Sequence, residues 1–141
     1  MAHKFALTLA SAGVDLVIIS RDRKRLAPSE KSVAALIRKV VSLELDVRDP
    51  ESIRRMVAAA EETLGRIDFL VNDAGCNVRK LALDVTWEEW NLVLDMNLRR
   101  SFFVAQEVAR RMIASHYGRI INIGSITSVI GYSGLGPYGA S

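Results

Sequence analysis

Residues 49–75 read DPESIRRMVAAAEETLGRIDFLVNDAG, a stretch that passes from helix to buried strand to turn with no residue to spare. Asp49 offers a carboxylate to the free N–H groups of a helix start, and Pro50 suits the first helical position, where its missing N–H costs nothing. Ile53, Met56, Val57 and Leu64 recur at helical spacing and make one apolar stripe, and Gly65 closes the helix. Residues 67–71 form a short apolar run, the pattern of a strand buried on both faces of a parallel sheet. Asn72-Asp73-Ala74-Gly75 are turn formers.

The same unit repeats on either side. Upstream, Phe5, Leu7, Leu9 and Ala12 predict a helix that ends at Gly13, followed by a strand over 16–19. A helix is expected over 30–39, with Val33, Leu36 and Ile37 on one face, and a strand over 40–47. Downstream, Thr86 and Glu89 stand three apart as in a capping box. The helix they open is expected to run to about Ser115, carrying Trp90, Val93, Leu94, Leu98, Phe102, Ala105, Val108, Ala109 and Met112, until Gly118 stops it. Residues 119–124 read as a fourth strand, and 125–141, rich in Gly and Ser, as a loop that starts a helix.

Helix and strand alternate four times, which predicts an α/β fold: a partial, doubly wound parallel sheet with helices on both faces. It forms a single domain over residues 1–141. Such a sheet normally opens on a strand, whereas this chain opens in a helix and stops within a loop, so a first strand and the C-terminal strands are expected to be missing. Exposed apolar edges are then expected to leave the 141 residues poorly soluble or partly molten.

Composition narrows the function classes. The chain is 50% hydrophobic and 25% charged with a net charge of +3, which excludes disorder. No run approaches the roughly 20 apolar residues that a bilayer span needs. Its basic residues are dispersed, which argues against nucleic acid. Residues 1–12 have a basic start and small residues near Ala12, but the apolar stretch is short and holds Thr8, so a helix explains it better than a leader. A cytoplasmic location is expected. Cys76 is the one cysteine, which excludes an internal disulfide and a multi-thiolate metal site. His3 and His116 lie far apart without carboxylate spacing, and no metal is expected.

In open parallel sheets, ligands sit beyond the carboxyl ends of the strands. The candidates are therefore Ser20 and Arg21 after the first strand, Asp46 and Val47 after the second, Asn72, Ala74 and Gly75 after the third, and Ser125 after the fourth. Taken singly, each also fits a solvated turn or a strand cap.

Ser125 and Tyr138 are separated by twelve residues, and Tyr138 opens Tyr-Gly-Ala-Ser. With Asn122-Ile123-Gly124-Ser125, this pattern resembles the short-chain dehydrogenase/reductase family, in which a lysine would be the next residue after Ser141. The family's Asn-Asn-Ala-Gly is present as Asn72-Asp73-Ala74-Gly75, with Asp73 the one departure. Asp46-Val47 matches its adenine-cupping pair, and Asn97 the helix asparagine that joins its proton relay. The resemblance implies an incomplete NAD(P)-binding domain of Rossmann type. If residues 6–13 are the body of the family's first helix, Ala2 replaces the last glycine of its pyrophosphate loop.

The activity implied is hydride transfer between nicotinamide and a carbonyl or secondary alcohol, with Tyr138 as acid/base, Ser125 holding the substrate oxygen and Asn97 a water. Ser20, Arg21, Asp46, Val47, Asn72, Ala74, Gly75 and Tyr138 are the implied cofactor contacts. At the end of the first strand, a carboxylate would bind the ribose hydroxyls of NAD; Ser20 and Arg21 instead suit a 2′-phosphate, so NADP is expected, with NAD as the alternative. Residues 77–80 and 86–90 look like those of gluconate 5-dehydrogenases and 3-oxoacyl-carrier-protein reductases. Arg79 and Lys80 fit either an acidic substrate or a solvated loop. The long helix implies a homo-oligomer in the full-length protein. The alternative is a non-catalytic binding or oligomerisation module on the same fold.

Overall fold

The computed structural model describes residues 2–20, 22–36, 38–44 and 49–141, without the side chains of Arg23 and Arg25. Among the described residues, six helices and four strands follow in the expected order: α1 (Ala2–Ser11), β1 (Leu16–Ser20), α2 (Arg23–Ala34), β2 (Val40–Glu44), α3 (Pro50–Leu64), β3 (Phe69–Asn72), α4 (Trp87–Leu94), α5 (Arg100–Ala114), β4 (Arg119–Asn122) and α6 (Gly136–Gly139). A π turn, Asp95–Arg99, joins α4 to α5, and short 3-10 turns occupy Ala82–Asp84 and Ile126–Ser128.

Among the described residues, the strands form two parallel pairs. β1 runs beside β2 with Leu16 opposite Val40, and β3 beside β4 with Phe69 opposite Arg119. Alternation along β1 explains why helices cover both faces. Leu16 and Ile18 pack, with Val40, on Ala6 and Ala10 of α1 and Val33 of α2. Val17 and Ile19 point the other way, onto a cluster of Ile53, Met56, Val57 and Ala60 from α3 with Val104, Val108 and Met112 from α5. Leu70 of β3 joins that cluster, so one helix layer serves both strand pairs. β4, in contrast, is exposed along its whole length, an apolar edge of the kind the sequence leads one to expect.

Two helix starts follow from sequence chemistry. The Asp49 carboxylate accepts from the Ser52 N–H at 2.8 Å, and Thr86 and Glu89 make both bonds of the capping box, at 3.2 and 3.0 Å. α2 departs from expectation. It begins at Arg23, capped by Asp22 on the Lys24 N–H at 2.9 Å, and ends at Ala34. The helix runs through Pro28, its sixth residue, which has no N–H to give the helical ladder, so the letters around it argue against the helix that forms. Leu36 lies beyond the helix and is exposed; Ile37 falls outside the described residues.

The helix expected from Thr86 to about Ser115 is continuous but not regular. Its buried stripe is Val93, Met96, Arg100, Val104, Val108 and Met112, whereas Trp90, Leu98 and Phe102 face outward. Its end is also unlike the expectation. His116, not Gly118, takes the left-handed conformation (φ 54°). Gly118 is needed for room: a Cβ there would lie 2.6 Å from Met112 Cβ and nearer still to its Cγ and Sδ.

Gly118→Ala is therefore expected to displace buried Met112 and destabilise the chain by about 1–3 kcal/mol, read as a shift in urea midpoint. Gly124→Ala, which meets nothing within 4 Å, should leave the midpoint near that of the parent.

Candidate active site

Asn97 organises the carboxyl end of β3. It lies in the π turn, where the widened backbone aims its carboxamide at the loop after the strand. Its Oδ1 accepts from the Cys76 N–H at 2.8 Å, and its Nδ2 donates to the Cys76 carbonyl at 3.0 Å. The same Nδ2 donates to Ser141 Oγ at 2.8 Å, and that hydroxyl donates to the Tyr138 carbonyl at 2.9 Å. Gly75 permits the approach, since a Cβ there would sit 3.0 Å from Asn97 Oδ1. One side chain thus ties the loop after β3 to the π turn and to α6.

Ser125 follows β4 and caps the 3-10 turn behind it. Its Oγ accepts from the Thr127 N–H at 3.3 Å and from Thr127 Oγ1 at 2.9 Å, leaving its own hydrogen for another acceptor. α6 packs on this turn so closely that a Cβ on Gly139 would stand 3.1 Å from the Thr127 carbonyl oxygen. Tyr138, the neighbour of Gly139, is half-buried. The backbone segments carrying Ser125, Asn97 and Tyr138 are therefore assembled together.

The other candidates divide. Ser20 ends β1 and accepts from the Asp22 N–H at 3.2 Å, on the other strand pair. Asn72 is occupied internally, its Nδ2 donating to the Ser101 carbonyl at 3.3 Å and to Asn122 Oδ1 at 2.9 Å. It locks β3 to β4 and α5. Ala74 and Gly75 are exposed and present bare backbone at the strand end. Asp73, where the resemblance expects asparagine, buries Oδ1 without a hydrogen-bond partner among the described residues. Such a group costs about 1–3 kcal/mol. Arg21, Asp46 and Val47 lie outside the described residues.

Three participants escape a reading of motifs alone. Arg100 is buried, and its guanidinium donates to the Ala74 carbonyl; its place on the stripe from Val93 to Met112 was the available signal. Ser141 completes the Asn97 chain. Lys80 pairs with Glu89 at 2.5 Å, so the capping-box glutamate also fixes the loop before it. That ion pair, with the Thr86 N–H, holds the Glu89 carboxyl below its ordinary range.

The family model for short chain dehydrogenase matches residues 1–141. The chain belongs to that family. It is 33% identical over 94% of its length to gluconate 5-dehydrogenase of Gluconobacter oxydans, covering 52% of that protein. It is 37% identical over 100% of its length to 2-dehydro-3-deoxy-D-gluconate 5-dehydrogenase of Escherichia coli, covering 55%. A solved structure, NAD+-bound xylitol dehydrogenase, superposes with a TM-score of 0.93 at 32% identity, over 96% of this chain and 52% of that one. The chain thus spans about half the length of the curated relatives it matches. These likenesses establish the partial Rossmann-type α/β fold and, in general terms, a family of NAD(P)-dependent oxidoreductases. Among the described residues, no helix is long and apolar enough to cross a membrane.

Glu89 has a lowered pKa in the fold, so its contribution is present above the ordinary carboxylate value and lost as pH falls below it. Urea unfolding followed from about pH 5 to pH 3 should show stability falling more steeply in the parent than in Glu89→Gln, with the two curves converging in acid.

Proposed function

We propose that these residues form part of an NAD(P)-dependent oxidoreductase that interconverts a secondary alcohol and a carbonyl, with Tyr138 as the acid/base and Ser125 holding the substrate oxygen. The observation that carries this reading is the hydrogen-bonded chain from Cys76 through Asn97 and Ser141 to the Tyr138 backbone. That chain ties the helix bearing the phenol to the π turn, while the close approach of Gly139 to the Thr127 carbonyl sets the same helix against the turn bearing the Ser125 hydroxyl.

The residues present fit a dinucleotide in part. Exposed backbone at Ala74 and Gly75 leaves space for a ribose at the end of β3, and Ser20 offers a neutral hydroxyl at the end of β1. When bound, the nicotinamide supplies the hydride exchange. The chain's own work is orientation and proton handling. Ser125, whose Oγ accepts two bonds from Thr127, keeps its hydrogen for the substrate oxygen and opposes charge growing there. A phenol with a pKa near 10 is a weak base at neutral pH, so Tyr138 needs a cation beside it. The family's lysine, one position beyond Ser141, would provide that cation. Asn97 holds the loop and the π turn around a water in the proton path.

Ser20 in place of a carboxylate favours NADP over NAD, with Arg21 as the phosphate ligand. The Asp22 carboxylate beside it is engaged in capping α2. A cytoplasmic homo-oligomer is the setting we assign. Trp90 (41% exposed) and Leu98 (53%) line a hollow of about 280 Å³ between α4 and the π turn, and Phe102 (60%) is exposed on α5. That face is the one we assign to a second copy.

In the full-length protein, Tyr138→Phe should lower kcat by about 10²–10⁴-fold while NADPH affinity measured by calorimetry stays within a few-fold of the parent. Retention of parental turnover would refute the assignment of the phenol. In the same protein, Arg21→Asp should invert the ratio of kcat/KM for NADP over NAD; an unchanged ratio would remove Arg21 from the cofactor site.

A further inference from the structure

The loop that leaves the Asn97 clamp is held at both ends. At Cys76 both backbone groups are taken by the Asn97 carboxamide. At Lys80 the backbone N–H donates to the Gly134 carbonyl at 3.1 Å, and the ammonium is paired with Glu89. Lys80 is therefore neutralised where it stands. Its neighbour Arg79 is exposed and has no carboxylate partner among the described residues.

Arg79 is nevertheless placed. Its guanidinium carbon lies 6.0 Å from the centroid of the Tyr132 ring. Gly134, at φ +78°, carries the opposite loop past it, and a Cβ there would stand 3.6 Å from Arg79 Cγ and from the Lys80 carbonyl oxygen. Tyr132 and Gly134 belong to the loop that begins at Ser125 and ends at Tyr138, so the cation lies against the segment that joins those two residues. A guanidinium held near an aromatic ring by cation–π attraction spends none of its N–H groups on that contact, and its fork matches a carboxylate with two parallel hydrogen bonds.

We propose that Arg79, steadied by Tyr132, is the specificity-determining residue and selects a hydroxy acid by its carboxylate. This rests on the oxidoreductase reading of Ser125 and Tyr138. In the oxidative direction, the carbinol C–H leaves as hydride to oxidised nicotinamide and the O–H proton goes to the Tyr138 phenolate. The product is a keto acid whose carboxylate is unchanged.

The test compares gluconate with its neutral counterpart sorbitol in the full-length protein, by NADP-linked turnover and by calorimetric binding. Arg79→Gln should lower kcat/KM for gluconate by about tenfold to a hundredfold, chiefly through KM, and leave sorbitol unchanged. Arg79→Lys should recover part of the loss, because it restores charge without the fork. Tyr132→Leu should fall between parent and Arg79→Gln. Equal turnover of the two probes, or an equal loss with both in Arg79→Gln, overturns the carboxylate assignment and leaves the Ser125–Tyr138 reading standing. Gluconate binding that is lost in Arg79→Gln, without any nicotinamide-linked turnover in the parent, supports the carboxylate site and refutes the redox reading.

Discussion

A single carboxamide, that of Asn97, holds together the loop after β3, the π turn and α6. A mid-helix asparagine is ordinarily a weak choice, since its side chain competes for backbone hydrogen bonds. Here the competition is resolved by geometry. The π turn gives the side chain a direction no regular α-helix would supply, and its oxygen and nitrogen satisfy both backbone groups of Cys76 while reaching Ser141. A loop crossing a strand end has backbone groups that water would otherwise have to satisfy. Asn97 satisfies them from within, and the absence of a Cβ at Gly75 makes the approach feasible.

Around this clamp, charge is used sparingly. Buried Arg100 supports the Ala74 carbonyl from below, and Glu89 serves a helix cap and an ion pair together. An exposed ion pair contributes little by itself. Its value here is positional, because the Lys80 ammonium and the Lys80 N–H are anchored to different elements, α4 and the loop at Gly134. The cost falls on Asp73, whose buried oxygen lacks a hydrogen-bond partner among the described residues.

Much of this was legible in the letters. Asp49-Pro50 and Thr86-Glu89 encode their helix starts through local bonds, and local bonds survive any tertiary context. The doubly covered β1 was readable from its continuous apolar run. Other features depend on partners remote in sequence. Which strand would carry the exposed apolar edge is set by the neighbours alongside, and no periodicity reports that it is β4. Pro28 masked the first half of α2, because an interior proline has no N–H to give the ladder and its letter argues for a break that the chain does not make. Asn97 and Tyr138 were visible as motif letters, whereas the link between them runs through Ser141 Oγ, a hydroxyl of no distinctive spacing. Arg100 sits at a core position by helical count, and only its carbonyl partner explains why a charge is there.

The division of the strands into two ladders bears on how the molecule opens. Because the described ladders have no backbone hydrogen bond in common, amide protons of one can exchange with solvent while those of the other stay protected. What makes the halves cooperate is the side-chain layer of α3 and α5, where Val17 and Ile19 from one ladder meet Leu70 from the other. Cooperativity in this chain is thus a property of aliphatic packing instead of backbone continuity, and solvent will enter first along the rims of the ladders.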